Sequence, residues 1–230
     1  MLLAIDTSTR YAGVALADAQ RVISLRCWYS TSNHTTQLMP AVSELLTLHK
    51  LTPGQLSGIA VALGPGGFSA LRVGLSAAKG LALAARKPLV GVGTLDLEAF
   101  PYLESGLPVC ALLDAGRREV ASAHFRAGGA RSRDDTIGAP QELLETITEA
   151  TIFCGEGLWP WVALVREHLG PLGVVVGGSS PAGRLWSLAQ LGRQRLEAGE
   201  YDDLAALQPC YLRMPSIGGP KRRDWTPQQS

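Results

Sequence analysis

One pattern occurs twice in this chain: a short apolar run that ends at an acid, a polar turn that carries an arginine, and a second apolar run. The first copy runs from Leu2 to Asp6, turns through Thr7-Ser8-Thr9-Arg10 and returns from Ala12 to Ala17. The second runs from Val109 to Leu113 and Asp114, turns through Ala115 to Arg118 and returns from Glu119 to Phe125. Continuous apolar runs bounded by turn residues read as buried strands. Two acidic hairpins at corresponding places imply one folding unit present in two diverged copies.

The stretches around the hairpins alternate strand and helix, which argues an α/β fold with largely covered sheets. A third strand is expected at Val22 to Trp28. From about Gln37 to His49, Leu38, Val42, Leu45 and Leu46 recur at helical spacing, with Pro40 either opening the helix or kinking its first turn. Leu51 to Leu56 connects to a buried strand at Ile59 to Leu63. That strand runs into the structural glycine loop Gly64-Pro65-Gly66-Gly67, after which Ser69 can cap a helix reaching about Ala85. Leu89 to Val92 is another strand. Beyond the second hairpin come a polar loop from Gly128 to Ala139, a short helix from Gln141 to Ile147 and a strand from Ile152 to Cys154. A helix from Trp159 to His168, a strand from Val174 to Val176 and a helix from Ala182 to Ala198 complete the set. In that last helix Leu185, Trp186, Leu188, Ala189 and Leu196 form one broad face suited to a sheet. The first lobe is placed at 1–104 and the second at 105–214. The tail, 215–230, lacks apolar periodicity and is expected to be disordered. The fold class is α/β, with duplicated lobes of mixed sheets flanked by helices, similar to actin-like folds.

Composition excludes several classes. Lys and Arg number 21 against 20 Asp and Glu, a formal charge of +1, far from the basic excess of a stand-alone nucleic-acid binder. Cys27, Cys110, Cys154 and Cys210 lie far apart with no C-x-x-C pair, so the expectation is reduced, mostly buried thiols rather than a zinc knuckle or a disulfide framework. Met1 leads directly into the first strand, which is too short for a signal peptide, and Lys79, Arg86 and Lys87 cut the longest apolar stretches. A cytoplasmic protein without a membrane span is expected.

The segment Gly64-Pro65-Gly66-Gly67-Phe68-Ser69-Ala70-Leu71-Arg72-Val73-Gly74 resembles the TsaB family signature, close to G-P-G-S-F-T-G-L-R-I-G. Asp6-Thr7-Ser8 resembles the family's opening motif. Asp114-Ala115-Gly116-Arg117-Arg118-Glu119-Val120 resembles its D-A-R-R-G-E-V turn, and Pro209-Cys210-Tyr211-Leu212-Arg213 its P-x-Y-L-R close. Gly67, Ser69 and Ala70 depart from the signature by small-for-small changes. The resemblance implies an actin-like (ASKHA) fold and a non-catalytic subunit of the tRNA adenosine-37 threonylcarbamoylation machinery. It implies a TsaD-type catalytic paralogue and a TsaE-type ATPase as partners, with ATP and a metal ion on those subunits and tRNA reached through the complex.

The catalytic paralogue's metal-binding H-x-x-x-H pair is broken here, because His34 is followed one turn later by Leu38. No metal site is expected. Asp6, Thr7 and Ser8 could seat a nucleotide phosphate and its metal-bound water, but with no further phosphate cradle visible they read first as a turn bonded to its own backbone. Ser8, Ser69 and Ser179 lack a nucleophile elbow, so no catalytic residue is assigned. In the helix after the glycine loop, Ala70, Gly74, Ala78 and Ala82 recur every four residues beside Leu71 and Leu75, and only Arg72 and Lys79 are charged. A helix so apolar is covered on two sides, by its own sheet and by either the preceding helix or a partner's helices. The resemblance implies that the helices at about 37–49 and 69–85 form the face that docks the TsaD-type paralogue, so Leu38, Val42, Leu45, Leu71, Gly74, Leu75 and Ala78 are the candidate partner contacts, and the same face would form a homodimer when the chain is alone. Lys221-Arg222-Arg223 in the tail is a solvated charge run or a weak tRNA contact. The rival reading is an actin-like ATPase or small-metabolite kinase using Asp6, Ser8 and Asp114.

Overall fold

The computed structural model describes residues 1–31, 33–177 and 180–213. The first sheet contains β1 (Leu2–Asp6), β2 (Tyr11–Ala17), β3 (Val22–Tyr29), β4 (Gly58–Gly64) and β5 (Leu89–Gly93) in the order β3-β2-β1-β4-β5. The second contains β6 (Val109–Gly116), β7 (Glu119–Phe125), β8 (Thr136–Gly138), β9 (Thr151–Cys154) and β10 (Gly173–Val175) in the order β10-β9-β6-β7-β8. In each, the first three strands pair antiparallel and the last two add in parallel beside the first. Numbered from its own first strand, each sheet therefore has the same order and the same strand directions. The repeated acidic hairpin is the visible trace of this duplicated lobe.

Covering both faces of each sheet explains why the central strands are apolar without alternation. On the first sheet, α1 (His34–Leu48) and α2 (Phe68–Ala85) enclose Leu3, Ile5, Val14, Leu16, Ile59 and Val61. The opposite face, with Leu2, Ala4, Ala15, Ala60 and Val90, is covered by α6 (Pro181–Glu197) through Leu185, Leu188 and Ala189. Fully burying a leucine contributes about 1.5–3 kcal/mol, so these two layers dominate the first lobe's stability. In the second lobe, α3 (Thr94–Ala99) covers one face with Leu95 and Ala99. The other face is covered by α4 (Pro140–Leu144) and α5 (Val162–Leu169).

Several expectations need correction. The helix α6 falls within residues assigned to the second lobe, yet it crosses back and packs on β1, β2 and β4 of the first. A sheet with both faces apolar needs a second helical layer, and only the end of the chain is free to supply it. Pro40 lies inside α1, which begins six residues earlier. The N-cap of α2 is Gly67, and Ser69 makes no capping bond. The segment α3 and the short strand β8 carry too little periodicity to be read from sequence. At 18 residues and a mean hydropathy of 1.2, α2 is long and apolar enough to cross a membrane, although charges were expected to break the run. Here its inward side packs on the first sheet. The tail, including Lys221-Arg222-Arg223, lies outside the described residues, as does Ser179.

Candidate functional site

The two hairpins face each other across a cleft of about 570 Å³, lined by Ser8, Thr9, Arg10, His34, Gly67, Asp114 and their neighbours. A second hollow of about 590 Å³ lies on the other side of the glycine loop, between Asp114–Arg117 and Tyr211–Arg213.

The first bend is turned inward. Asp6 is buried at the end of β1, and its Oδ1 accepts from the Ser8 backbone N–H at 2.9 Å and the Ser8 hydroxyl at 2.6 Å. The Thr7 hydroxyl donates to the Ala70 carbonyl at 2.7 Å, and the Gly67 N–H donates to the Ser8 carbonyl at 2.9 Å. Hairpin and glycine loop are thus stitched together. A Cβ on Gly66 would sit 2.1 Å from the Ser8 carbonyl oxygen, so only glycine lets the loop pass this close. Gly64 holds a φ of 106°, in the region glycine alone adopts readily.

Behind the bend lies a charge cluster that the sequence reading missed. Arg184, 1% exposed, donates from Nε to Asp6 Oδ2 at 2.8 Å. One terminal nitrogen donates to Glu98 Oε1 at 3.2 Å and to Glu156 Oε2 at 2.7 Å. The other donates to Thr9 Oγ1 and to the Tyr11 carbonyl, both at 2.8 Å. All five guanidinium N–H groups are thereby used. Burial disfavours the charge, but Asp6, Glu98 and Glu156 more than offset it and raise the Arg184 pKa above its ordinary value. Breaking a buried pair by removing one partner costs about 3–5 kcal/mol, because a charge is left behind without its partner. A sequence signal existed: positions 184, 188 and 192 share a helical face, so a charge sits on the stripe of Leu188 and Gly192.

In this geometry Asp6, Thr7 and Ser8 form a turn bonded to its own chain, and their side chains are not presented to the cleft as nucleotide ligands. All three side chains are buried, and each is engaged by its own chain. Asp114 is exposed and accepts from the Gly116 N–H at 2.8 Å. His34 opens α1, with its ring nitrogens 3.4 Å from Ser30 Oγ and 3.3 Å from the Thr9 carbonyl. Burial pushes the Cys110 thiol up to about 12 and Cys154 well above its ordinary value, so neither is a ready thiolate. Among the described residues no group of three or more His, Cys, Asp or Glu is placed to hold a metal ion.

The partner-contact residues also need correction. Leu38, Val42, Leu45, Leu71, Gly74, Leu75 and Ala78 are all buried within this chain. A Cβ on Gly74 would lie 2.3 Å from Thr7 Oγ1, so the small-residue stripe lets α2 approach the chain's own first bend and sheet. Spacing establishes that residues share a face, and burial shows that this one points inward.

Two lobes of identical strand order, closed around a cleft beside paired acidic hairpins, define a protein of the actin-like (ASKHA) class. A family model described as "TsaD: tRNA N6-adenosine threonylcarbamoyltransferase" matches residues 29–149. The "tRNA threonylcarbamoyladenosine biosynthesis protein TsaB" of Bacillus subtilis is 28% identical over 219 residues, covering 93% of this chain and 94% of that protein. The protein of the same description from Escherichia coli is 32% identical over 175 residues, covering 72% and 75%. The solved structure of YeaZ from Pseudomonas aeruginosa superposes with a TM-score of 0.72 at 26% identity, covering 92% of this chain and 99% of that one. The chain belongs to the TsaB (YeaZ) family, and falls within the wider group that the threonylcarbamoyltransferase model describes.

Proposed function

We propose that this chain is a non-catalytic organising subunit for threonylcarbamoylation of tRNA adenosine 37, and that it binds a TsaD-type catalytic paralogue through α1 and α2. The observation that carries this reading is the outward side of α2. Ser69, Arg72, Ser76, Gly80, Leu83 and Ala84 are exposed there, Leu83 at 72%. Half-buried Val73, Ala77 and Leu81 flank them. Apart from Arg72, which is held on Phe68 and Tyr211, small side chains around one large exposed leucine allow another helix to approach closely and bury apolar area. On α1, Met39 and Leu48 are exposed as well. In this reading the buried Leu38, Val42, Leu45, Leu71, Gly74, Leu75 and Ala78 shape the helix pair from within.

The chemistry belongs to the partners: the metal ion to the TsaD-type subunit, ATP to the TsaE-type subunit, and tRNA to the assembled complex. Alone, the chain would pair with itself through the same side of α2. An ATPase or kinase reading is not favoured, because Asp6 and Ser8 are committed to each other and Asp6 to Arg184.

Gly80 has open space around its Cβ position, so Gly80→Arg adds a long charged side chain without touching its own fold. Light scattering on the chain mixed with its TsaD-type paralogue is expected to give a heterodimer. Gly80→Arg is expected to weaken it about tenfold or more, about 1.4 kcal/mol, with a Tm no lower than that of the parent chain, since arginine is the better helix former. Association indifferent to both Gly80→Arg and Leu83→Glu would remove this reading.

A further inference from the structure

The cleft ends on the Arg184 cluster, whose members come from both lobes. Asp6 and Thr9 belong to the first hairpin, and Arg184 to the helix packed on the first sheet. Glu98 sits on α3, between the lobes. Glu156 belongs to the turn after β9, in the second lobe, and also lines the cleft. Its Oε2 accepts from Thr9 Oγ1 at 2.8 Å and from Arg184 at 2.7 Å.

We propose that Arg184 is a built-in cation, its guanidinium permanently filling a carboxylate site shared by the two lobes and holding the cleft at one opening. Three carboxylates that converge from three elements repel one another unless a cation joins them. A diffusible cation would join the lobes only while bound, so the cleft could open as it left. A guanidinium tethered to α6 cannot leave, and its planar fork meets five acceptors that a point charge could not reach together. The end of the described chain spans the same junction: the Cys210 N–H donates to the Leu63 carbonyl at 2.7 Å, and Arg213 pairs with Glu119. The inference does not depend on the proposed docking, and the outcome of the Gly80→Arg test leaves it untouched.

The test is the distance between spin labels at Thr47 on α1 and Gln141 on α4, in full-length chain with Cys27 and Cys210 replaced by Ser, each labelled protein diluted into an excess of its unlabelled counterpart so that only distances within one chain are read. One narrow distribution is expected with Arg184 in place. Arg184→Ala and Glu156→Gln are each expected to broaden it and add a longer population. Millimolar propylguanidinium should narrow it again in Arg184→Ala and leave Glu156→Gln unchanged. If Arg184→Ala does not fold, Glu156→Gln decides alone, since it keeps the side-chain shape and removes only the charge from the second lobe. A distribution that is broad from the outset, or one the same in all three proteins, would overturn the proposal.

Discussion

His124 lies on β7 with its ring buried, Arg133 donating to Nε2 and the Cys110 sulfur 3.8 Å away. Burial, reinforced by the Arg133 charge, lowers its pKa from 6.5 to about 4. Between those values the unfolded chain holds a proton that the folded chain refuses. The stability conferred by neutral His124 is therefore full above pH 6.5 and is lost as the pH falls toward 4, with a slope approaching about 1.4 kcal/mol per pH unit. Denaturant titrations between pH 7 and about pH 5 should show this slope, and His124→Gln should remove that part of it. An identical slope in the variant would assign the effect to other groups. Arg184 and His124 share a reason for escaping the sequence reading. Their character comes from residues distant in the chain, such as Glu98 and Glu156 for Arg184, which no local motif connects to it.

The segment Pro209 to Arg213 has no regular secondary structure, yet it behaves as a structural element. Tyr211 stacks on Phe68 with ring centroids 4.8 Å apart and accepts from Arg72 Nε at 3.1 Å, while the Arg72 guanidinium lies 3.9 Å above the Phe68 ring. Leu212 packs into the second lobe's core. Aromatic pairs contribute about 0.5–1.5 kcal/mol beyond their buried area. Tyr211→Ala is accordingly expected to lower the unfolding free energy by about 1 kcal/mol or more in urea titrations, whereas Tyr211→Phe should lose only the Arg72 bond. Equal stability in both variants would mean that this segment does not hold the lobes. The helices α1 and α2 were legible because apolar residues recur at a period of 3.6. Which side of α2 faced inward was not, because both its stripe of small residues and its opposite side satisfy the same period.

At the scale of the whole molecule, the lobes share the Arg184 cluster, the last helix and the terminal segment, so they should unfold together. Trp28 packs in the first lobe's core and Trp161 in the second's. Chains in which Trp28 or Trp161 is the one tryptophan kept of the five are expected to give the same denaturation midpoint by fluorescence. Midpoints that differ would mean lobes that unfold independently. By itself the sequence determined what local chemistry controls: the acidic hairpins and their duplication, the glycine loop, and the strands and helices marked by apolar period. Those features arise from residues a few positions apart, whose steric and burial demands are the same wherever the segment lies. Only the tertiary structure decided that α6 returns to cover the first sheet, that the small-residue stripe of α2 turns inward, and that Asp6 meets a guanidinium 178 positions away. Each is settled by which surfaces remain to be covered and which charges remain to be joined once the sheets have formed. Those demands belong to the assembled lobes and leave no local mark on the chain.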